Sequence, residues 1–251
     1  MLKPLSQRIA LVTGASSGIG EAIALSLAQA GVKTVVTARR AERLAQLIER
    51  IAAEGGEGHA VPGDVTKEDF ARILVDDTVS RHGAIDILVN SAGMIQAGGI
   101  ENTDTAQWRE TMDLNFFASL YTTKAAIPHM KVAGGGDIIQ ISSTGGRRPT
   151  SHFAAYGASK FALNGMSWGL REEVGMSGIR VCVVEPGATT SEISEGMSDP
   201  QGREFMRQHI NKEGVMKGED IAAVVLCIVS LPQRANVQEL LIRPTIDVAP
   251  L

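Results

Sequence analysis

TGASSGIG, residues 13–20, stands between an aliphatic, β-branched run, RIALVT (8–13), and a stretch with helical spacing from about 19 to 30. Gly14, Gly18 and Gly20 let a chain turn tightly and bring its backbone against a ligand. The N–H groups at the start of the helix that follows favour an anion there. The spacing is GxxxGxG, not the GxGxxG of the common dinucleotide fingerprint. With a strand before it and a helix after it, we read the turn as a pyrophosphate cradle, in which Ser16, Ser17 and Ile19 accompany the glycines.

Outward from this turn, strand-like runs alternate with helical stretches. The strands expected are RIALVT (8–13), KTVVTA (33–38), GHAVPGD (58–64), IDILVN (85–90), DIIQIS (137–142), IRVCVVEP (179–186) and QELLIR (238–243). Helices are expected at about 19–30, 41–54, 67–82, 104–131, 155–176 and 218–230. Continuous apolar strands separated by helices predict an α/β fold: a doubly wound, mostly parallel, seven-stranded sheet with ligands at the strands' carboxyl ends. No linker, repeat or low-complexity tract divides the 251 residues, so a single domain is expected. Residues 187–217 break the alternation, being polar and only partly helix-prone, and suit a movable cover over a site.

Composition narrows the function classes. A formal charge of −4 without a basic cluster argues against nucleic acid or an anionic membrane as the main partner. The longest apolar run, IAAVVLCIVSL (221–231), is too short to span a bilayer and reads as a buried helix. MLKPLSQRIALVTG lacks the pattern of a secretory signal, so a cytoplasmic location is expected. Cys182 and Cys227 read as two buried thiols, and no metal site is expected.

Several further motifs follow the glycine turn in order: Asp64-Val65 after the third strand, Asn90-Ser91-Ala92-Gly93 after the fourth, and Asn115 within the long helical stretch. Ser142-Ser143 follow the fifth strand, Tyr156-x-x-x-Lys160 comes next, and Pro186-Gly187 closes the sixth. Together with TGASSGIG this set resembles the short-chain dehydrogenase/reductase family over about residues 8–245, with serine replacing the second asparagine of the family's NNAG. The ending ELLIRPT (239–245) resembles, more loosely, an NADP-dependent subgroup with 3-hydroxy acid dehydrogenases and clavulanic-aldehyde reductases.

Tyr156 is one of only two tyrosines, and four residues later on a helix Lys160 shares its face. A free phenol has a pKa of about 10, and a nearby cation favours the phenolate. The resemblance implies that Tyr156 is the proton donor and acceptor. It implies that Ser143 bonds the substrate oxygen, with Ser142 the competing assignment, and that Asn115 holds a water in a relay with Lys160. Lys160 would also bond the nicotinamide ribose, Asp64-Val65 the adenine, and Asn90, Ala92 and Gly93 would line the cofactor path. Pro186, Gly187, Thr189 and Ser191 would stand beside the nicotinamide. His152 reads as a surface or pocket-wall histidine. Arg147 and Arg148 either meet an acidic substrate or are solvated.

The end of the second strand bears on the cofactor. An NAD-preferring fold commonly carries an acid there, about twenty residues beyond the glycine turn. Here TARRAER (37–43) offers Ala38, then Arg39 and Arg40. Guanidinium groups grip phosphates through paired hydrogen bonds, and cations at a helix start gain nothing from its dipole, so NADP(H) is expected. The solvated alternative pairs the arginines with Glu42. The expected activity is reduction of a ketone or aldehyde, or oxidation of the corresponding alcohol. The alternatives are an NAD-linked 3-hydroxy acid dehydrogenase and a dinucleotide sensor without turnover. Small and apolar residues around 104–131 and 155–176, with the family resemblance, imply a homotetramer.

Overall fold

The structure is a computed structural model that describes residues 3–248. The strands are β1 Ile9–Thr13, β2 Lys33–Thr37, β3 Gly58–Ala60, β4 Ile87–Asn90, β5 Gly136–Ile141, β6 Ile179–Pro186 and β7 Glu239–Ile242. They form one sheet in the order β3-β2-β1-β4-β5-β6-β7, and every pairing is parallel. The helices are α1 Gly18–Gln29, α2 Ala41–Ala53, α3 Glu68–His82, α4 Thr105–Met112, α5 Ala118–Ala133, α6 Ala154–Val174, α7 Pro200–Ile210 and α8 Gly218–Ser230. The chain winds outward from β1 to β3, then returns to β4 on the other side of β1. That reversal opens a crevice at the carboxyl ends of β1 and β4.

Alternation along the strands explains the two-faced core. Ala10 and Val12 of β1 and Ile87 and Val89 of β4 pack toward α1, α2 and α8, where Leu27, Leu47 and Val225 meet them. Leu11 and Leu88, one residue out of phase, pack on the opposite face with Leu74 of α3, Met130 of α5 and Val174 of α6. Successive side chains of a strand point to opposite faces, so the middle of a strand covered on both sides is apolar on either face, and the buried polar residues stand nearer its ends.

The structure corrects two expectations. The long helix at 104–131 is interrupted by a π-helical turn, Asp113–Phe117, between α4 and α5. Asn115, fully buried there, donates from Nδ2 to Met94 O and Ser159 Oγ, both at 2.9 Å, and accepts from Met94 N at 2.8 Å. Those tertiary bonds compete with regular winding. Secondly, Cys227 is exposed rather than buried. The buried stripe of α8 is Ile221, Ala222, Val225, Ile228 and Val229, and helical periodicity leaves position 227 outside it. Cys182 is buried as expected, which pushes its thiol up to about 12. Residues 187–217 are helical only in part, as expected: they carry one helix, α7, whose first turn is capped by Asp199 accepting from Gln201 N and Gly202 N. Backbone bonds join this excursion at its base: Thr190 N donates to Met216 O (2.8 Å) and Met216 N to Ala188 O (3.2 Å).

At the opposite, amino edge of the sheet lies a buried charge cluster. Asp137 of β5 pairs with Arg8 and with Arg180 of β6, whose Nε is 2.5 Å from Oδ1 and whose Nη2 is 2.9 Å from Oδ2. The guanidinium groups also donate to backbone carbonyls: Arg8 to Val229 O at 2.9 Å and Arg180 to Leu231 O at 2.9 Å. One carboxylate thus compensates two buried cations. Asp137→Asn should lower the unfolding free energy by about 3–5 kcal/mol, because it leaves buried charge unpaired. Urea titration followed by circular dichroism checks this, and a loss under about 1 kcal/mol would contradict it.

Candidate active site

The carboxyl edge of the sheet opens into a cleft of about 1400 Å³. Gly14, Ser16, Ser17, Gly18, Ile19 and Gly20 line it after β1, Arg39 and Arg40 after β2, and Asp64 and Val65 after β3. Ala92 and Gly93 line it after β4, Ser143 after β5, and Pro186, Gly187, Thr189 and Ser191 at the end of β6 and beyond. Tyr156 and Lys160 enter from α6. Two residues expected at the site stand behind this lining. Asn90 turns its amide into the α5 interface, donating to Thr123 Oγ1 (3.1 Å) and accepting from Thr122 Oγ1 (2.7 Å). Its side chain is therefore a tie between β4 and α5. Asn115 is the second, bound as described above.

The glycine turn is kept bare by close approaches. Gly14 has φ +68°, and a Cβ there would fall 2.7 Å from Ala92 N. A Cβ at Gly20 would fall 2.5 Å from Gly14 O. Thr13, which the sequence reading did not single out, joins the two turns: its Oγ1 accepts from Ser91 N (3.1 Å) and Ala92 N (3.2 Å). A backbone without side chains at the start of α1, with arginines and serine hydroxyls beside it, fits the pyrophosphate and ribose of a dinucleotide.

Neighbouring strand residues explain how the two serines divide. Ser142 Oγ donates to Asn164 Oδ1 at 2.6 Å, away from the cleft. Ser143 faces the other way: its Oγ accepts from Gly145 N at 3.0 Å and hydrogen-bonds the Tyr156 phenol. Burial pushes the Tyr156 phenol above its ordinary value, and the Ser143 hydrogen bond only partly offsets this. Lys160 Nζ donates to Ile141 O at 2.9 Å and lies 5.8 Å from the centre of the Tyr156 ring. Burial lowers its ammonium to about 8. The lysine thus lies by the face of the ring rather than bonding the hydroxyl. Gly93 sits between Asn115 and Lys160, for a Cβ there would be 3.3 Å from Asn115 Oδ1 and 3.7 Å from Lys160 Nζ.

The two arginines after β2 differ. Arg39 is exposed on the cleft wall with no hydrogen bond or ion pair among the described residues. Burial alone would raise the Asp64 carboxyl, but hydrogen bonds from Thr66 and the charge of Arg39 outweigh it and hold it below the usual range. Arg40 donates to Ser16 and Ser17 and pairs with Glu192, not with Glu42. Arg147 is also engaged, donating to Glu185 Oε2 at 2.6 Å and to Glu239 Oε2 at 2.5 Å, so it is not free to meet a substrate. Arg148 and the exposed His152 line the cleft.

Above the tyrosine the wall is apolar: Ile95, Ala97, Phe153 and Met197 are buried together, with Ile193 and Met206 beside them. Gln96 latches the 187–217 excursion, donating to Gly196 O at 3.2 Å and accepting from Ser198 N at 3.1 Å. The sequence reading missed Gln96 and Glu192, since neither belongs to a local motif. Among the described residues no helix is long and apolar enough to cross a membrane.

The comparisons with known proteins agree with this geometry. An uncharacterised oxidoreductase of Staphylococcus saprophyticus is 36% identical over 243 residues, covering 96% of this chain and 98% of that protein. A metagenomic short-chain oxidoreductase solved in complex with NADP is 32% identical, with a TM-score of 0.83 and coverage of 98% and 100% of the two chains. A 7α-hydroxysteroid dehydrogenase solved with NADH and 7-oxo glycochenodeoxycholic acid is 28% identical, with a TM-score of 0.84 and coverage of 96% of each chain. The family model described as short chain dehydrogenase matches residues 8–202, and with the glycine turn, the Ser143–Tyr156 bond and Lys160 on one cleft, the chain belongs to the short-chain dehydrogenase family of oxidoreductases.

Proposed function

We propose that this chain is an NADP(H)-dependent reductase of ketones or aldehydes, running in reverse as a dehydrogenase of the corresponding alcohols. The observation that carries the chemistry is the Ser143–Tyr156 hydrogen bond, with Lys160 beside it, under the apolar wall of the cleft. When bound, the nicotinamide supplies or takes the hydride. Tyr156 holds a proton at its phenol oxygen and gives it to the substrate oxygen in reduction. Ser143 donates a hydrogen bond to that oxygen and fixes its position. A phenol raised by burial keeps its proton at neutral pH, which suits the donor role. The ammonium of Lys160 stabilises the phenolate left behind. Asn115 holds the Met94 backbone behind Gly93 and Lys160.

A substrate with an apolar body fits the wall formed by Ile95, Phe153 and Met197. The engagement of Arg147 removes one of the two arginines that an acid substrate would use, and so weighs against a 3-hydroxy acid. A dinucleotide sensor without turnover would have no use for the Tyr156–Ser143 pair. For the cofactor, Ala38 presents no carboxylate to repel a 2′-phosphate, and Arg39 lies free on the cleft wall. A relative solved with NADP supports the same choice, although a related structure holds NADH.

Tyr156→Phe should lower kcat for reduction by about 10²–10⁴-fold, since only the proton donor is lost. NADPH binding, followed by fluorescence, should be retained. Turnover near wild type in the folded variant would remove Tyr156 from the chemistry.

Arg39→Ala should raise the KM for NADPH at least about tenfold, as loss of a charge-assisted hydrogen bond predicts, and leave that for NADH nearly unchanged. Ala38→Asp should turn the preference toward NADH. Steady-state kinetics with both cofactors checks the pair, and a wild-type kcat/KM higher with NADH would overturn the assignment.

On the outer face of α6, Phe161 and Trp168 are 44% and 48% exposed, which supports pairing of this face in a homotetramer. Light scattering at micromolar concentration should give a multiple of the monomer mass. Phe161→Glu should shift it downward.

A further inference from the structure

Arg40 spends all three guanidinium nitrogens. Nε and Nη2 donate to Ser16 Oγ at 3.1 and 2.9 Å, Nη2 donates to Ser17 Oγ at 2.6 Å, and Nη1 reaches Glu192 Oε2 at 2.7 Å. Arg43 Nη2 lies 3.2 Å from the other carboxylate oxygen, Glu192 Oε1. Glu192 therefore crosses the cleft from the excursion after β6 to the turns after β1 and β2.

We propose that Glu192 stands in for the cofactor's 2′-phosphate: its carboxylate occupies the arginine–serine cluster, a bound 2′-phosphate displaces it, and the residue thereby sets how strongly the chain discriminates NADP(H) from NAD(H). This rests on the NADP(H) reading above. Three observations support the exchange. Arg40 is the N-cap of α2 and Ser17 that of α1, and neither helix start has a side-chain cap bond. A guanidinium beside two positive helix ends calls for an anion; Glu21 and Glu42 lie in the first turns of α1 and α2, but the carboxylate that Arg40 engages is Glu192. The Arg40 guanidinium, ahead of Arg43, holds its carboxyl below the usual range, so it is charged at neutral pH.

Second, the Ser16 and Ser17 oxygens accept from Arg40, and neither hydroxyl donates to another described residue. Each has a hydrogen left for a phosphate oxygen. Third, the pair is exposed, with 46% of the Arg40 side chain and 40% of the Glu192 side chain accessible. Exposed ion pairs are weak, and a more highly charged phosphate with three acceptor oxygens competes well for the same donors. A carboxylate left in place would repel the phosphate. NADH brings only a neutral 2′-hydroxyl to this cluster, which cannot replace a carboxylate against two guanidinium groups.

The test is calorimetric titration of wild type and Glu192→Gln with adenosine 2′,5′-bisphosphate and with 5′-AMP, alongside fluorescence titration with NADPH and NADH. Glu192→Gln should tighten the bisphosphate and NADPH by about 3- to 10-fold and leave 5′-AMP and NADH within about twofold, as loss of exposed ion pairs predicts. Glu192→Ala, with an unchanged melting profile, should behave alike. If wild type prefers the bisphosphate but neither variant binds it more tightly, the inference is overturned while the cofactor reading stands. If wild type binds the bisphosphate no better than 5′-AMP, the cofactor reading fails and the inference fails with it.

Discussion

Because all seven strands run the same way, each delivers its carboxyl end to one edge of the sheet and must return across a face to begin the next. Everything that lines the cleft is a consequence of that parallel pairing. Six consecutive strand exits contribute to one site, although the residues they carry are spread from Gly14 to Ser191 in the chain. The crossover helices cover both faces, which is why the strand middles are apolar on both sides and why the cleft opens at the edge. At that edge β1 and β4 must come close, and the approach is set by Thr13 Oγ1 holding the Ser91 and Ala92 amides against a glycine that has no room for a Cβ.

Ser143, Tyr156 and Lys160 are held by hydrogen bonds that run behind the cleft. Ser142 and Asn164 fix the strand end from which Ser143 projects, and Asn164 in turn donates to the buried Glu185 at 2.8 Å. Arg147 closes the same network from the loop, joining Glu185 to Glu239 of β7. Lys160 is pinned through its ammonium to the Ile141 carbonyl at the end of β5. Thus the tyrosine, serine and lysine are each referenced to the sheet itself rather than to a mobile loop, which is the arrangement proton transfer at hydrogen-bond distance needs.

What the sequence disclosed and what it withheld divide by the range of the interaction. The glycine turn and Tyr156-x-x-x-Lys160 are local patterns whose residue types are dictated by a turn or a helix face, so they are readable without tertiary knowledge. Ser143 is preferred to Ser142 from the resemblance alone, and the alternation at the end of β5 turns Ser142 toward Asn164 and leaves Ser143 beside Tyr156. The π-helical turn at Asp113–Phe117 depends on bonds from Asn115 to Met94 and Ser159, and no local periodicity encodes those. Glu192 and Arg40 are 152 residues apart, and nothing in either neighbourhood announces the other. Cys227 was misread because a short apolar helix was taken as covered all round, whereas α8 buries one stripe.

The buried Arg8–Asp137–Arg180 cluster fastens β1, β5 and β6 at the edge farthest from the cleft. Much of what defines the sheet's cohesion is therefore spatially divorced from what selects a substrate. Residues around Ile95, Phe153 and Met206 can be exchanged without touching that fastening, so the cost of their replacement stays within the apolar wall itself. For laboratory evolution, this separates the positions at which the cleft wall can be rewritten from the charge cluster that must be left alone.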